Sequence, residues 1–156
     1  MTKTRLARAL IILLMALMAP CQVFVVPLIA AEAAQSAPEF AHLRWPLLIL
    51  AEFMMAVADL AGLALVKLAS MAARGVVFSG AAARWVDVVV IALWVETAAV
   101  LPWLWVSLFA TKGPPGAAAA CLIALPAGAA GALVVSTMKA LLVQATSQAD
   151  ELAEVI

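Results

Sequence analysis

The chain has no tyrosine, one histidine and two cysteines in 156 residues, and only 12% of those residues are charged. Each shortage removes a class of chemistry. His42 stands alone in a stretch without Cys or a second His, so it cannot assemble the several ligands of a zinc site, and no H-E-x-x-H spacing exists. Cys21 and Cys121 fall in different apolar runs and form no CxxC pair. Isolated thiols in apolar surroundings read as inert small hydrophobes rather than as redox centres. A serine nucleophile would need a His base, and the sole His lies in a loop between apolar runs. The formal net charge of zero offers no basic surface for direct nucleic-acid binding and no acidic or basic bias towards a charged partner. The chain is therefore expected not to be an enzyme and to need no metal or cofactor.

What the sequence has is apolar length. Hydrophobic residues make up 68% of it, against about 45–50% in a soluble domain, which also carries about 25% charged residues. No single globular core could hide so much apolar surface, so the lipid bilayer is the expected solvent. A spanning helix needs about 20 predominantly apolar residues, and the chain offers four such stretches, at about 9–31, 45–72, 80–110 and 116–143, with a tail at 144–156. The expected fold is an all-α membrane protein, a single domain over 1–156 with four transmembrane helices in one bundle. The first stretch, after Lys3, Arg5 and Arg8, has a rival reading as a signal peptide ending near Ala31-Glu32-Ala33. Its apolar run exceeds the 7–15 residues of a signal core, and Pro20 and Pro27 are compatible with a spanning helix whose freed carbonyls find other partners.

Positive charges give the direction. Lys3, Arg5, Arg8, Lys67, Arg74, Arg84 and Lys139 fall on one side of the four stretches, and only Arg44 and Lys112 on the other. By the positive-inside rule both termini and the middle loop are cytoplasmic. Trp45, Trp103 and Trp105 then sit at the outer interface and Trp85 at the inner one, as amphipathic rings prefer. Trp94 lies at mid-depth, where its indole N–H calls for a partner.

The connections carry further signals. Thr111-Lys112-Gly113-Pro114-Pro115-Gly116 predicts a tight turn that makes the last two helices a hairpin. Ala120, Ala124, Gly128, Ala132 and Ser136 recur every fourth residue, a ridge of small side chains that lets a second helix approach closely. Packing within the monomer accounts for it simply, and a homodimer face is the alternative. Pro126 beside the ridge predicts a kink. Gly75 can end the second helix in a left-handed conformation, Ser79 can cap the third, and Arg84 and Asp87, three apart, are expected to pair. The tail joins apolar Leu152, Val155 and Ile156 to Asp150, Glu151 and Glu154; it reads either as an inert solvated end of the fourth helix or as a docking peptide.

Three carboxylates lie inside the stretches: Glu52, Asp59 and Glu96. A charge at the bilayer centre costs about 2.5–3.5 kcal/mol even on the mildest scale, so such residues face the interior, and a functional role is the default hypothesis. Glu52 and Asp59, seven apart, share a helix face. Glu52 and Glu96 each lie roughly 10 Å below the outer boundary, a depth at which the two could share a proton or a cation. No Lys or Arg occupies a mid-span position to neutralise them. Both are expected to hold a proton at least part of the time at neutral pH. The plainer reading is that the three acids are interhelical hydrogen-bond glue.

Gly75-Val76-Val77-Phe78-Ser79 followed by Arg84-Trp85-Val86-Asp87, and Leu141 to Thr146 leading into Asp150-Glu151-Leu152-Ala153-Glu154-Val155-Ile156, resemble the bacterial family known as domain of unknown function 2975. Gln148-Ala149 stands where that family's tails tend to carry an acidic residue. The resemblance implies a small four-helix protein of the bacterial inner membrane, and it supplies no catalytic residues. Because relatives are often encoded beside a small helix-turn-helix regulator, it also implies such a protein as a cytoplasmic partner, by association alone. Two functions stay open: a membrane-anchored regulatory or interaction protein, and a small proton-coupled exporter using Glu52, Asp59 and Glu96. The exporter outline resembles the small multidrug exporters, but those centre on a Glu in the first helix, where this chain has no charge.

Overall fold

The computed structural model of the chain describes residues 2–36, 38–75, 80–110 and 115–154. It is helical throughout these residues apart from the turn at Arg74 and Gly75. The first span is α1, Thr2–Pro20, a π-helical turn at Cys21–Val25, and α2, Val26–Ser36. A 3-10 segment at Pro38–Leu43, carrying the exposed His42, leads into α3, Arg44–Ala73. Then come α4, Gly80–Trp105, a second π turn at Val106–Ala110, and α5, Pro115–Glu154. Four of these continuous helical runs are long and apolar enough to cross a membrane: Arg5–Ser36, Pro38–Ala73, Gly80–Phe109 and Ala118–Ala145. The chain is a multi-pass membrane protein.

Prolines mark where the helices change pitch. Pro20 and Pro102 lack the N–H that an α-helix needs and crowd the preceding turn, and each π turn lies just beyond one of them. Pro126 lies within α5, which continues as α-helix past it. Gly75 ends α3 with φ +72°, a conformation that a Cβ would penalise, and its N–H donates to the Ala72 carbonyl at 3.1 Å.

Packing runs in chain order. The first span packs on α3, α3 on α4 and α4 on α5, and among the described residues no comparable packing joins the first span to the third or fourth. The bundle is thus left open between its first and last helices, and its buried core lies in the later spans. Ala82, Val89, Ala92, Ala99 and Val106 are buried along the third span, with Ala64 and Met71 on α3 and Ala132 on α5. The third-span positions follow the seven-residue spacing of a packing seam, and alanine there lets helix backbones approach closely. Among its described side chains the first span has no buried residue; Ile11, Met15, Met18 and Gln22 form one half-buried stripe flanked largely by exposed residues.

The small-residue ridge of α5 is divided. Gly128, Ala132 and Ser136 lie in or beside the α4 contact, whereas Ala120 and Ala124 are exposed. The reason is angular: four residues overshoot one turn of a 3.6-residue helix by about 40°, so five members at that spacing cannot all face one neighbour. Trp94 also differs from the expectation of an interior partner, being 44% exposed on the outer flank of α4.

Candidate functional site

The polar side chains of the mid-span region come from three helices, and the structure does not gather them in one place. Among the described residues no group of three or more His, Cys, Asp or Glu is placed to hold a metal ion. Asp59 instead faces the first span, where its Oδ2 accepts a hydrogen bond of 2.7 Å from Gln22 Nε2. Glu52 shares Asp59's face of α3 by its spacing and is half-buried. Glu96 belongs to a different surface. It falls four residues after Ala92 and three before Ala99, on the buried seam of α4, and its Oε1 is buried without a hydrogen-bond partner. Asp59 thus belongs to the edge that meets the first span, with Glu52 on the same face by its spacing, and Glu96 to the seam of the third.

Gln22 is the residue that a survey of charged groups passes over. It is an uncharged amide in the first apolar run, between Pro20 and Pro27, and it lies in the π turn that Pro20 precedes. A polar amide in hydrocarbon needs a partner, so its presence alone, opposite a run containing Asp59, was the available signal.

Beside Glu96, Thr97 packs against Gly128 of α5 so closely that a Cβ at Gly128 would overlap Thr97 Oγ1. That hydroxyl is held by donating to the Leu93 carbonyl at 2.7 Å. Further along the same pair of helices, Lys139 Nζ donates to Asp87 Oδ1 at 2.5 Å. This replaces the expected Arg84–Asp87 pair: Arg84, almost one turn nearer the chain-entry end of α4, is exposed. Lys139, reaching across from α5, neutralises Asp87 where the helices pack. At the opposite end of the molecule, the Arg44 guanidinium lies 5.3 Å from the Trp45 ring centroid, a cation–π contact. An apolar cleft of about 620 Å³ lies there too, between Leu43–Phe53 and Pro102–Val106.

Of the loop and tail residues singled out in the sequence, Gly75 and Arg84 are exposed and Asp87 is engaged with Lys139. Phe78, Ser79, the Thr111–Pro114 turn residues and Ile156 lie outside the described residues, as do the side chains of Asp150 and Glu151. The backbone at 150 and 151 is helical, as part of α5. Cys21 and Cys121 are free and half-buried.

Residues 28–156 match the family described as Protein of unknown function (DUF2975). The chain belongs to this family. The matched stretch takes in the whole of α3, α4 and α5 and leaves out most of the first span, Gln22 included. No curated protein and no solved structure matches the chain. DUF2975 membership thus agrees with the loop and tail motifs that carry the resemblance, and it assigns no activity.

Proposed function

We propose that this DUF2975 chain is a non-enzymatic regulatory or interaction protein anchored in a bacterial inner membrane, with both termini in the cytoplasm. The observation that supports this reading is the length of α5. It runs for 40 residues, Pro115–Glu154, about 60 Å at 1.5 Å per residue, against a hydrocarbon core of about 30 Å. The end beyond Ala145 is a helical extension whose sequence mixes acids with Leu152 and Ala153, the composition of a docking element rather than of a span. Orientation rests on the basic residues: Arg5 and Arg8 lie beside Arg74 at one end of the molecule, with Arg84 and Lys139 in the neighbouring part of α4 and α5, and the positive-inside rule turns that end inward. The partner this reading favours is a small helix-turn-helix regulator, on the strength of the family resemblance. DNA would then be contacted by the partner and not by this chain.

The test is co-purification of such a regulator with the full chain and with a chain ending at Ala145, which spares Lys139. The regulator is expected to remain with the first and to be lost from the second, while both accumulate equally in the membrane. Retention by the truncated chain would sink the reading.

One observation favours a second reading, a small proton-coupled exporter: the unpartnered buried Oε1 of Glu96. A carboxyl without a hydrogen-bond partner inside a span is a natural proton site. Dye efflux that depends on Glu96→Gln or Glu52→Gln would put the exporter first; unchanged efflux is the expected result.

A further inference from the structure

The first span and α3 enclose a cleft of about 640 Å³ near the start of one and the end of the other. Its wall on α1 is made by Arg5, Arg8, Ala9 and Ile12, residues at i, i+3, i+4 and i+7 and therefore on one helix face. Its wall on α3 includes Ser70 and Arg74. Three guanidinium groups thus surround one opening, and among the described residues none has an ion-pair partner. Asp87, the carboxylate described nearest this end on α4, is taken by Lys139. The Ser70 hydroxyl donates to the Lys67 carbonyl at 2.7 Å, which leaves its oxygen lone pairs free to accept but gives the cleft no counter-charge.

The cleft is also graded. Ile12 lies one turn deeper in the span than Arg8, and Arg8 almost one turn deeper than Arg5, each turn advancing about 5.4 Å. An apolar floor rising to a ring of arginines matches a molecule that is hydrocarbon below and anionic above. Planar guanidinium groups bind phosphate oxygens bidentately, and basic pockets between spanning helices are suited to anionic headgroups.

The geometry points to a binding site for an anionic phosphate ester, and its apolar floor to a membrane lipid headgroup as the source rather than free phosphate. The site is independent of the docking role of the α5 extension, which lies on the far helix of the row.

The experiment is native mass spectrometry of the full chain in mild detergent with added phosphatidylglycerol, phosphatidylcholine or inorganic phosphate. One phosphatidylglycerol is expected to be retained in clear preference to phosphatidylcholine. Arg8→Gln and Arg74→Gln should each weaken that retention about fivefold, the effect of one basic residue near an anionic surface. Arg8→Lys should keep most of it, which separates lost charge from lost fold. Equal retention of the two lipids, or Gln variants that bind as the parent does, would overturn the site. Displacement of phosphatidylglycerol by inorganic phosphate at matching concentration would overturn the lipid as its source.

Discussion

At one edge of the row the first span meets α3, and at the other α4 meets α5; the two interfaces are built from different materials. The first is held by a half-buried stripe on the first span, the flexible tip of Met15 set against the buried Gly62, and one amide-to-carboxyl hydrogen bond, Gln22 to Asp59. The second has Ala132 buried on α5, Gly128 against a threonine fixed by its own hydrogen bond, and an ion pair between Asp87 and Lys139. In a bilayer no hydrophobic force drives helices together, so close packing and polar contacts decide association. Close packing dominates the α4–α5 edge, and a single polar contact does more of the work at the α1–α3 edge. The first should be rigid and intolerant of added volume, the second loose and open to a lipid.

The sharpest way to break this contrast is Gly128→Ala. Its Cβ would overlap Thr97 Oγ1, and Thr97 cannot turn away without giving up its bond to the Leu93 carbonyl. Overpacking of this kind costs about 1–3 kcal/mol, read as a lowered midpoint of thermal unfolding in mild detergent. Thr97→Ala removes the obstructing oxygen, so the double variant should recover most of the loss, whereas Gly131→Ala, with nothing within 4 Å of its added Cβ, should cost little. If Gly128→Ala and Gly131→Ala behave alike, the α4–α5 edge is not close-packed.

A smaller effect is expected from the ion pair. Lys139 and Asp87 keep 30% and 44% side-chain exposure, which places the pair between a screened surface bridge and a buried one. A double-mutant cycle through Asp87→Asn and Lys139→Gln should return a coupling of about 1 kcal/mol. A coupling indistinguishable from zero would leave the edge to packing alone.

Below that comes the one polar tie of the other edge. Gln22→Leu removes the donor to Asp59, and interhelical hydrogen bonds within membranes average about 0.6 kcal/mol. Asp59→Asn can keep a bond to the Gln22 amide, so it should cost less than Gln22→Leu on the same unfolding assay. The reverse order would mean that Asp59 acts through its charge and not through this bond.

How far these interfaces could be foreseen varies along the chain, for physical reasons. Four spans follow from apolar runs too long for anything but a bilayer, and the left-handed Gly75 followed from a glycine placed where α3 runs out. The path of each polar side chain did not follow, because periodicity gives a residue's face but not which neighbour that face meets. Asp87 had a plausible partner on its own helix in Arg84 and takes one from α5 instead. Glu52 and Glu96 share a depth by residue counting, but it is Asp59, not either of them, that takes a partner from the first span. Gln22 escaped notice because a tally of charges ignores amides, although hydrocarbon does not. Every fourth residue of the α5 ridge is small, but helical drift carries Ala120 and Ala124 out of the contact.

The smallest effect is the most telling, because it uses the same substitution on the opposite edge. A Cβ at Gly62 would stand 2.9 Å from Met15 Sδ and 3.3 Å from its Cγ, a clash on paper as clear as many core ones. Methionine, however, is unbranched, with three rotatable bonds and a polarizable sulfur that fills irregular space, and no hydrogen bond holds it. Its flanks on α1 are exposed, so it has somewhere to go. Gly62→Ala should therefore cost below about 0.5 kcal/mol, less than the overpacking range of a fixed core site. Met15→Ala beside it should change little more. A loss at Gly62 as large as that at Gly128 would mean that the first span is gripped as tightly as the last, and the contrast between a rigid edge and a loose one would fall.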